Sequence, residues 1–444
     1  GKISGVVTAT ITAGAVKATL DAITNVNTAD VITFTTTDTS ADASDIVDLK
    51  VKVDNFTVTS INTITENAAT IGTSASTVTQ ALTITGGTEA VVITGAISAA
   101  NTNTIATATN GVVTATITNG AVSSTLAAIT AVDVNDVITF TTTDSSVDAS
   151  DLVDLAAKVD TFTTTSVNTI TEAYNTVALT TEITDALEIV PNAAVTVTGG
   201  SITTTNANTI DGLTTGVVTA SISETDASTL ATVTDANGNN DYTATITTAS
   251  VDASVFNGIS NVIANLTDGG VTTLTETAAD FAEVNTALTG GVLNGNEAVT
   301  ITGDITAVNV STILNNTSGV VTATISSDTA ANLNSNLTNT SGNDALTLTV
   351  TNTPTDAADL VALNGKTNQQ INLSAVTVIS GDASELIDVY VTNIADYSGL
   401  GNEAVSVDNT SSAADVNTIA TATSGVVTAT ITNGAVSSTL AAIT

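Results

Sequence analysis

The sequence predicts a repeat solenoid, a parallel β-sheet with short helices (α/β or β-solenoid), with about four coils per 105-residue repeat. Three observations lead there: long-range self-similarity, strand-like alternation, and helix start signals at matching places. The pentapeptide GVVTA recurs at Gly5, Gly111, Gly216, Gly319 and Gly425, at spacings of 106, 105, 103 and 106. Residues 5–110, 111–215, 216–318 and 319–424 are therefore read as four repeats, and 425–444 as the start of a fifth. Gly425 to Thr444 copies Gly111 to Thr130 letter for letter. Because the sequence opens just before one repeat and closes inside another, it is expected to be an excerpt of a longer chain. Open solenoid ends expose strand edges, so they are expected to continue into further repeats or to dock on another copy.

Within the second repeat, strand-like runs begin near Val112, Val137, Phe162 and Ala194, giving coils of 25, 25, 32 and about 22 residues. The runs alternate with period two, as a half-buried strand does. In ALTLTVT, Leu346, Leu348 and Val350 are assigned to the core face, and Thr347, Thr349 and Thr351 to the other. Stacking at about 4.8 Å per coil would place all strands in one continuous parallel sheet, in a rod on the order of 80 Å long.

Helices are predicted between the strands. DASDLVDLAAKV starts with Asp148, whose carboxylate can accept from first-turn amides, and carries Asp151 at the positive end of the helix dipole. Leu152, Val153, Leu155 and Val159 supply the apolar stripe. Asp42, Asp252 and Asp356 are the counterparts of Asp148, and DASELIDV adds the Glu385 that completes a capping box with Asp382. The rival architecture is a string of immunoglobulin-like β-sandwiches, for which about 105 residues is also a natural size. The helix caps favour the solenoid.

Composition restricts the chemistry. Forty-three acidic residues face six lysines and no arginine, for a formal charge of -37, so a nucleic-acid backbone would be repelled. Cys, His, Met and Trp are absent, which excludes thiolate, imidazole and disulfide chemistry. A hydrophobic fraction of 42% supports a folded core, but ten aromatics in 444 residues require it to be built in thin layers of Val, Ile, Leu and Ala. No run of eighteen apolar residues suggests membrane insertion.

The clearest candidate metal site is DANGNND, in which Asp235, Asn237, Asn239 and Asp241 alternate as oxygen ligands around Gly238, in the manner of a calcium loop. An Asn/Gly-rich turn explains the same residues. Glu89, Glu297 and Glu403 follow Gly-rich turns at corresponding places, but the second repeat has Ala193 there, which suits a turn better than a ligand set. The Asp42 series reads as capping, and no catalytic residue is assigned. Thr114, Thr116 and Thr118 form an outward T-x-T-x-T ladder, which resembles the flat arrays of ice-binding solenoids and also suits a soluble strand face; it is expected to slip at Val195, Val197 and Gly199. Sequons at Asn55, Asn265, Asn336 and Asn372 are expected by chance in so Asn- and Thr-rich a chain.

The Thr/Ala/Val/Asn/Asp-rich, Cys-free chain, with its GVVTATIT strands and DASDLVDLAAKV helices, resembles bacterial surface-layer proteins and giant repetitive cell-surface proteins of cyanobacteria and other Gram-negative bacteria. The resemblance covers the whole chain in style. It implies export and calcium-dependent assembly outside the cell, although the GGxGxDxxx calcium repeat is not found. The function expected is a non-enzymatic, extracellular filament or surface layer formed by self-association, with calcium as helper and cell-surface polysaccharide as a further partner. The alternative is the extender region of a large adhesin.

Overall fold

A computed structural model of the chain describes residues 5–72, 74–175, 179–351 and 353–442. It divides into two compact units: Gly1–Ser221 with Asp235–Asp241, and Ile222–Thr234 with Tyr242–Thr444.

In the first unit the second repeat has the four coils expected. Strand Val113–Ile117 leads to helix Val122–Ala128. Strands Val137–Thr141 and Ser146–Asp148 lead to helix Ala149–Ala156. Strands Thr161–Thr163 and Thr169–Ala173 precede helix Leu179–Ile189, and strand Ala194–Ile202 precedes helix Thr204–Asp211. Each coil of this repeat buries one strand face against its helix, and neighbouring coils cover one another. Ile64, Val91 and Val113 are fully buried on paired strands, and Phe34 and Phe56 stack across coils at 5.9 Å, as Phe140 and Phe162 do at 5.8 Å.

The expected single sheet is instead a relay of parallel sheets. One sheet runs through 40–42, 63–67, 90–97, 113–117, 137–141 and 161–163. The next has already begun at 146–148, which pairs with 169–173, which in turn pairs with 194–202. The cause is the turn at residues 142–145, which splits the edge of its coil into two strands and gives one to each sheet. Strand 90–97 carries a register slip opposite 113–117, with Gly95 at φ 90° inside it, a conformation that favours glycine.

The second unit repeats the scheme. Strands 250–252, 273–277, 298–305, 321–325 and 345–347 form one parallel sheet, and 355–356, 378–381, 404–411 and 427–431 another. Leu346, Leu348 and Val350 are fully buried, as the alternation predicts. The helix stripe is also as read, except that Val153 is only half-buried while Ala149, Leu152, Leu155 and Val159 are buried.

The threonine ladder does not slip where expected. Val195 and Val197 face the core, and Thr196 and Thr198 hold the outward positions, paired with Thr171 and Ala173. The alternation of buried and exposed residues holds through Thr198 and ends at Gly199, which has φ 75°.

Candidate functional site

All four predicted Asp caps form. Asp42 accepts from the Ser44 amide at 3.1 Å, Asp148 from Ser150 at 3.1 Å, Asp252 from Ser254 at 3.1 Å and Asp356 from Ala358 at 2.9 Å. In DASELIDV the Asp382 amide donates to Glu385 Oε2 at 3.0 Å.

A larger system of acceptors joins successive coils. Asp30 and Asp136 accept from the amides of Val7 (2.9 Å) and Val113 (2.8 Å) in the preceding coil, and Asp344 does the same for Val321 (2.9 Å). Asp38 and Asp144 accept from Val16 (2.7 Å) and Val122 (2.8 Å), the first residues of helices whose own N-cap alanines have no side-chain acceptor. Asp54 and Asp160 accept from Ile32 (2.9 Å) and Ile138 (3.0 Å). Neutral oxygens replace the carboxylate at matching places: Asn240 accepts from Val218 (2.8 Å), Thr248 from Ala227 (2.8 Å) and Thr367 from Leu346 (3.0 Å). What the fold requires there is an acceptor, and charge is secondary. Strand and helix starts leave free amides, and the following coil supplies the oxygen.

Lysines act in the reverse sense. Lys52 and Lys366 donate to the carbonyls of Ile23 (3.0 Å) and Leu337 (2.6 Å), each the residue that ends a helix, and Lys158 donates to that of Val132 (3.0 Å) in the loop after helix Val122–Ala128. Among the described residues the ion pair found is Lys17–Asp21, exposed at 2.5 Å. Backbone amides, more than opposite charges, hold the acids of this chain.

The candidate loop follows the same logic. Asp235 takes the Asn239 amide on Oδ1 at 3.1 Å and the Asn240 amide on Oδ2 at 3.2 Å, while Gly238 adopts φ 68°. Asn237 Nδ2 donates to the Thr214 carbonyl at 3.4 Å; Asn239 is exposed, and Asp241 is exposed at the start of the next strand. An Asx-type turn therefore accounts for Asp235 without an ion. The remaining polar residue of the loop, Asn240, has no place in the alternating ligand pattern. It is buried, and its Nδ2 donates to the buried Asp211 at 2.7 Å, so at this clamp the carboxylate stands on the helix Thr204–Asp211 that ends the second repeat. Among the described residues no three acidic side chains form a group suited to a metal ion.

Glu89, Glu297 and Glu403 are buried, and they accept from amides of their own turns: Thr88 (3.0 Å), Asn294 (3.2 Å) with Gly295 (3.0 Å), and Gly401 (2.8 Å). The backbone carbonyls of Glu89, Ala193, Glu297 and Glu403 accept in turn from the hydroxyls of Thr109 (2.6 Å), Thr214 (2.7 Å), Thr317 (2.6 Å) and Thr423 (3.2 Å). The position is a turn anchor, which is why it tolerates alanine.

No protein-family model matches the chain, and no curated protein is significantly similar to it. The functional reading therefore rests on the residues themselves. Among the described residues no helix is long and apolar enough to cross a membrane. Tyr242, Tyr390 and Tyr397 are buried; the Tyr390 hydroxyl donates to Glu403 at 3.3 Å and that of Tyr397 to the Leu360 carbonyl at 3.1 Å, and burial raises both phenols above their usual range.

The acids divide by pH response. The Asn27 and Val7 amides hold Asp30 below the ordinary carboxylate range, and the Ser228 hydroxyl and amide do so for Asp226. Their contribution is present above the unfolded carboxylate range and is lost as pH falls through the depressed folded values. Burial raises Asp45, Glu66, Asp151 and Glu172, so protonating these favours the fold. As pH is lowered from about 8 to about 3, stability is expected to rise first, as the raised group takes up protons, and then to fall as Asp30 and Asp226 are protonated. Thermal midpoints across that span check it; a monotonic fall from pH 8 would contradict the raised group.

Proposed function

We propose that the chain is a non-enzymatic structural protein of the cell exterior whose tandem repeats associate with further copies into a filament or surface layer, aided by divalent cations. The observation that carries this reading is the recurrence of acid-to-amide clamps at corresponding places in successive coils. The side chains best equipped for acid–base chemistry are the ones holding the array together, which suits extension and tiling. A charge of -37 keeps separate copies apart until cations screen or bridge their outer carboxylates.

Negative-stain electron microscopy of the purified chain, in calcium and then in excess chelator, tests the proposal. Uniform filaments or sheets that come apart on chelation are expected. Separate particles in both conditions would contradict it and favour the extender region of an adhesin.

A further inference from the structure

Three buried glutamates occupy one place in successive repeats: Glu66, Glu172 and Glu276, each at most 5% exposed. In Glu66, Oε1 accepts from the Asn67 amide at 2.8 Å and Oε2 from the Ser44 amide of the preceding coil at 3.1 Å. Glu276 does the same with Thr277 (2.7 Å) and Ser254 (3.2 Å). Glu172 differs. Its Oε1 accepts from Ala173 at 2.9 Å, but its buried Oε2 has no hydrogen-bond partner. The Ser44 and Ser254 amides are shared between their cap, Asp42 or Asp252, and the glutamate, whereas the equivalent Ser150 amide bonds Asp148, at 3.1 Å together with the Asp151 amide at 3.3 Å, and acts on Glu172 only from beyond hydrogen-bond geometry.

Among the described residues the surroundings offer Glu172 no cation. Strand 146–148 ends in Asp148, and helix 149–156 behind it carries Asp151 and Asp154. Helix 179–189 brings Glu182, and strand 194–202 sets Val197 opposite Glu172. The nearest lysine in sequence, Lys158, is bonded to the Val132 carbonyl. An ionised carboxylate with an unpartnered buried oxygen among other carboxylates is costly, and a proton removes that cost.

We propose that Glu172 is a proton-binding site, and that its ionisation loosens the junction between the strands at 146–148 and 169–173. Burial first, then the charges of Asp148 and Glu182, raise its proton affinity against the smaller pull of the Ala173 and Ser150 amides. The folded state therefore holds a proton that the unfolded state releases, and this junction weakens as pH rises through the raised value. The inference stands apart from the proposed assembly: it concerns one carboxyl group within one chain.

Glu172→Gln tests it, because the Gln amide mimics the neutral acid and its NH2 meets no donor at the orphan position. Relative to the unaltered chain, E172Q is expected to raise the thermal midpoint by a few degrees at pH 8 and to have no effect at pH 4.5. E276Q sets a donor against the Ser254 or Thr277 amide and is expected to lower the midpoint at both. A midpoint lowered equally at both pH values, or failure of E172Q to fold, would overturn the proposal. So would a calcium-induced rise in midpoint that E172Q abolishes, since Oε2 would then be a cation ligand.

Discussion

Gly111→Ala is expected to be among the most damaging single-methyl changes in the chain. A Cβ at residue 111 would lie inside van der Waals contact of the Glu89 carbonyl oxygen and 2.7 Å from the Ala90 nitrogen, both backbone atoms that cannot swing away. Gly216, Gly319 and Gly425 meet the carbonyls of Ala193, Glu297 and Glu403 in the same manner. Each of these glycines also donates its amide to a threonine, at 2.9 Å for Gly111 and Thr109, whose hydroxyl bonds the carbonyl being approached. Relieving the overlap moves one coil against the next, at a cost of about 1–3 kcal/mol or more, in the range of overpacked cores. At Gly258, exposed on helix Ala253–Val262, nothing lies within 4 Å, and Gly258→Ala is expected to be tolerated. Chemical denaturation of the two variants checks the contrast; equal stability would mean that close backbone approach is not what requires the glycine of GVVTA.

Asp136→Ala is the second large effect. Asp136 is 7% exposed and accepts from Val113 at 2.8 Å and from Asp133 at 3.2 Å. Alanine leaves the buried Val113 amide without an acceptor, at a cost of about 1–3 kcal/mol. Asp136→Asn keeps one oxygen for Val113 but turns an NH2 towards the Asp133 amide. The third repeat shows what compensates: Asn240 gives its NH2 to Asp211, the counterpart in sequence of Ala106. The double variant Ala106→Asp/Asp136→Asn is therefore expected to recover part of what Asp136→Asn loses. A double-mutant cycle measures this, and strict additivity would mean that Asn240 and Asp211 are not a coupled exchange of charge.

Period and alternation made the coils, the core faces and the Asp42 caps legible in the sequence, because each follows from local rules that act within one strand or one helical turn. The relay of sheets was not legible. It depends on where a coil edge is split by a turn, and the residues at 142–145 look like any polar stretch. The clamps were half-hidden for another reason. Asp30 and Asp136, Asp38 and Asp144, and Asp54 and Asp160 are all 106 residues apart, so the spacing that revealed the caps also marks these pairs. Their partners, however, are amides one coil away, and backbone donors leave no trace in a sequence. Asn240 is hidden in the same way: beside Asp235 and Asp241 it looks like one more turn residue, and its role is visible only once Val218 and Asp211 are next to it.

Amide hydrogen exchange at pH 7 tests most directly the claim that acids of one coil hold the amides of the coil before it. The Val113, Val122 and Ile138 amides, bonded to Asp136, Asp144 and Asp160, should be strongly protected, and Asp144→Ala should release Val122 while sparing Val113. Rapid exchange at all three in the unaltered chain would contradict that claim.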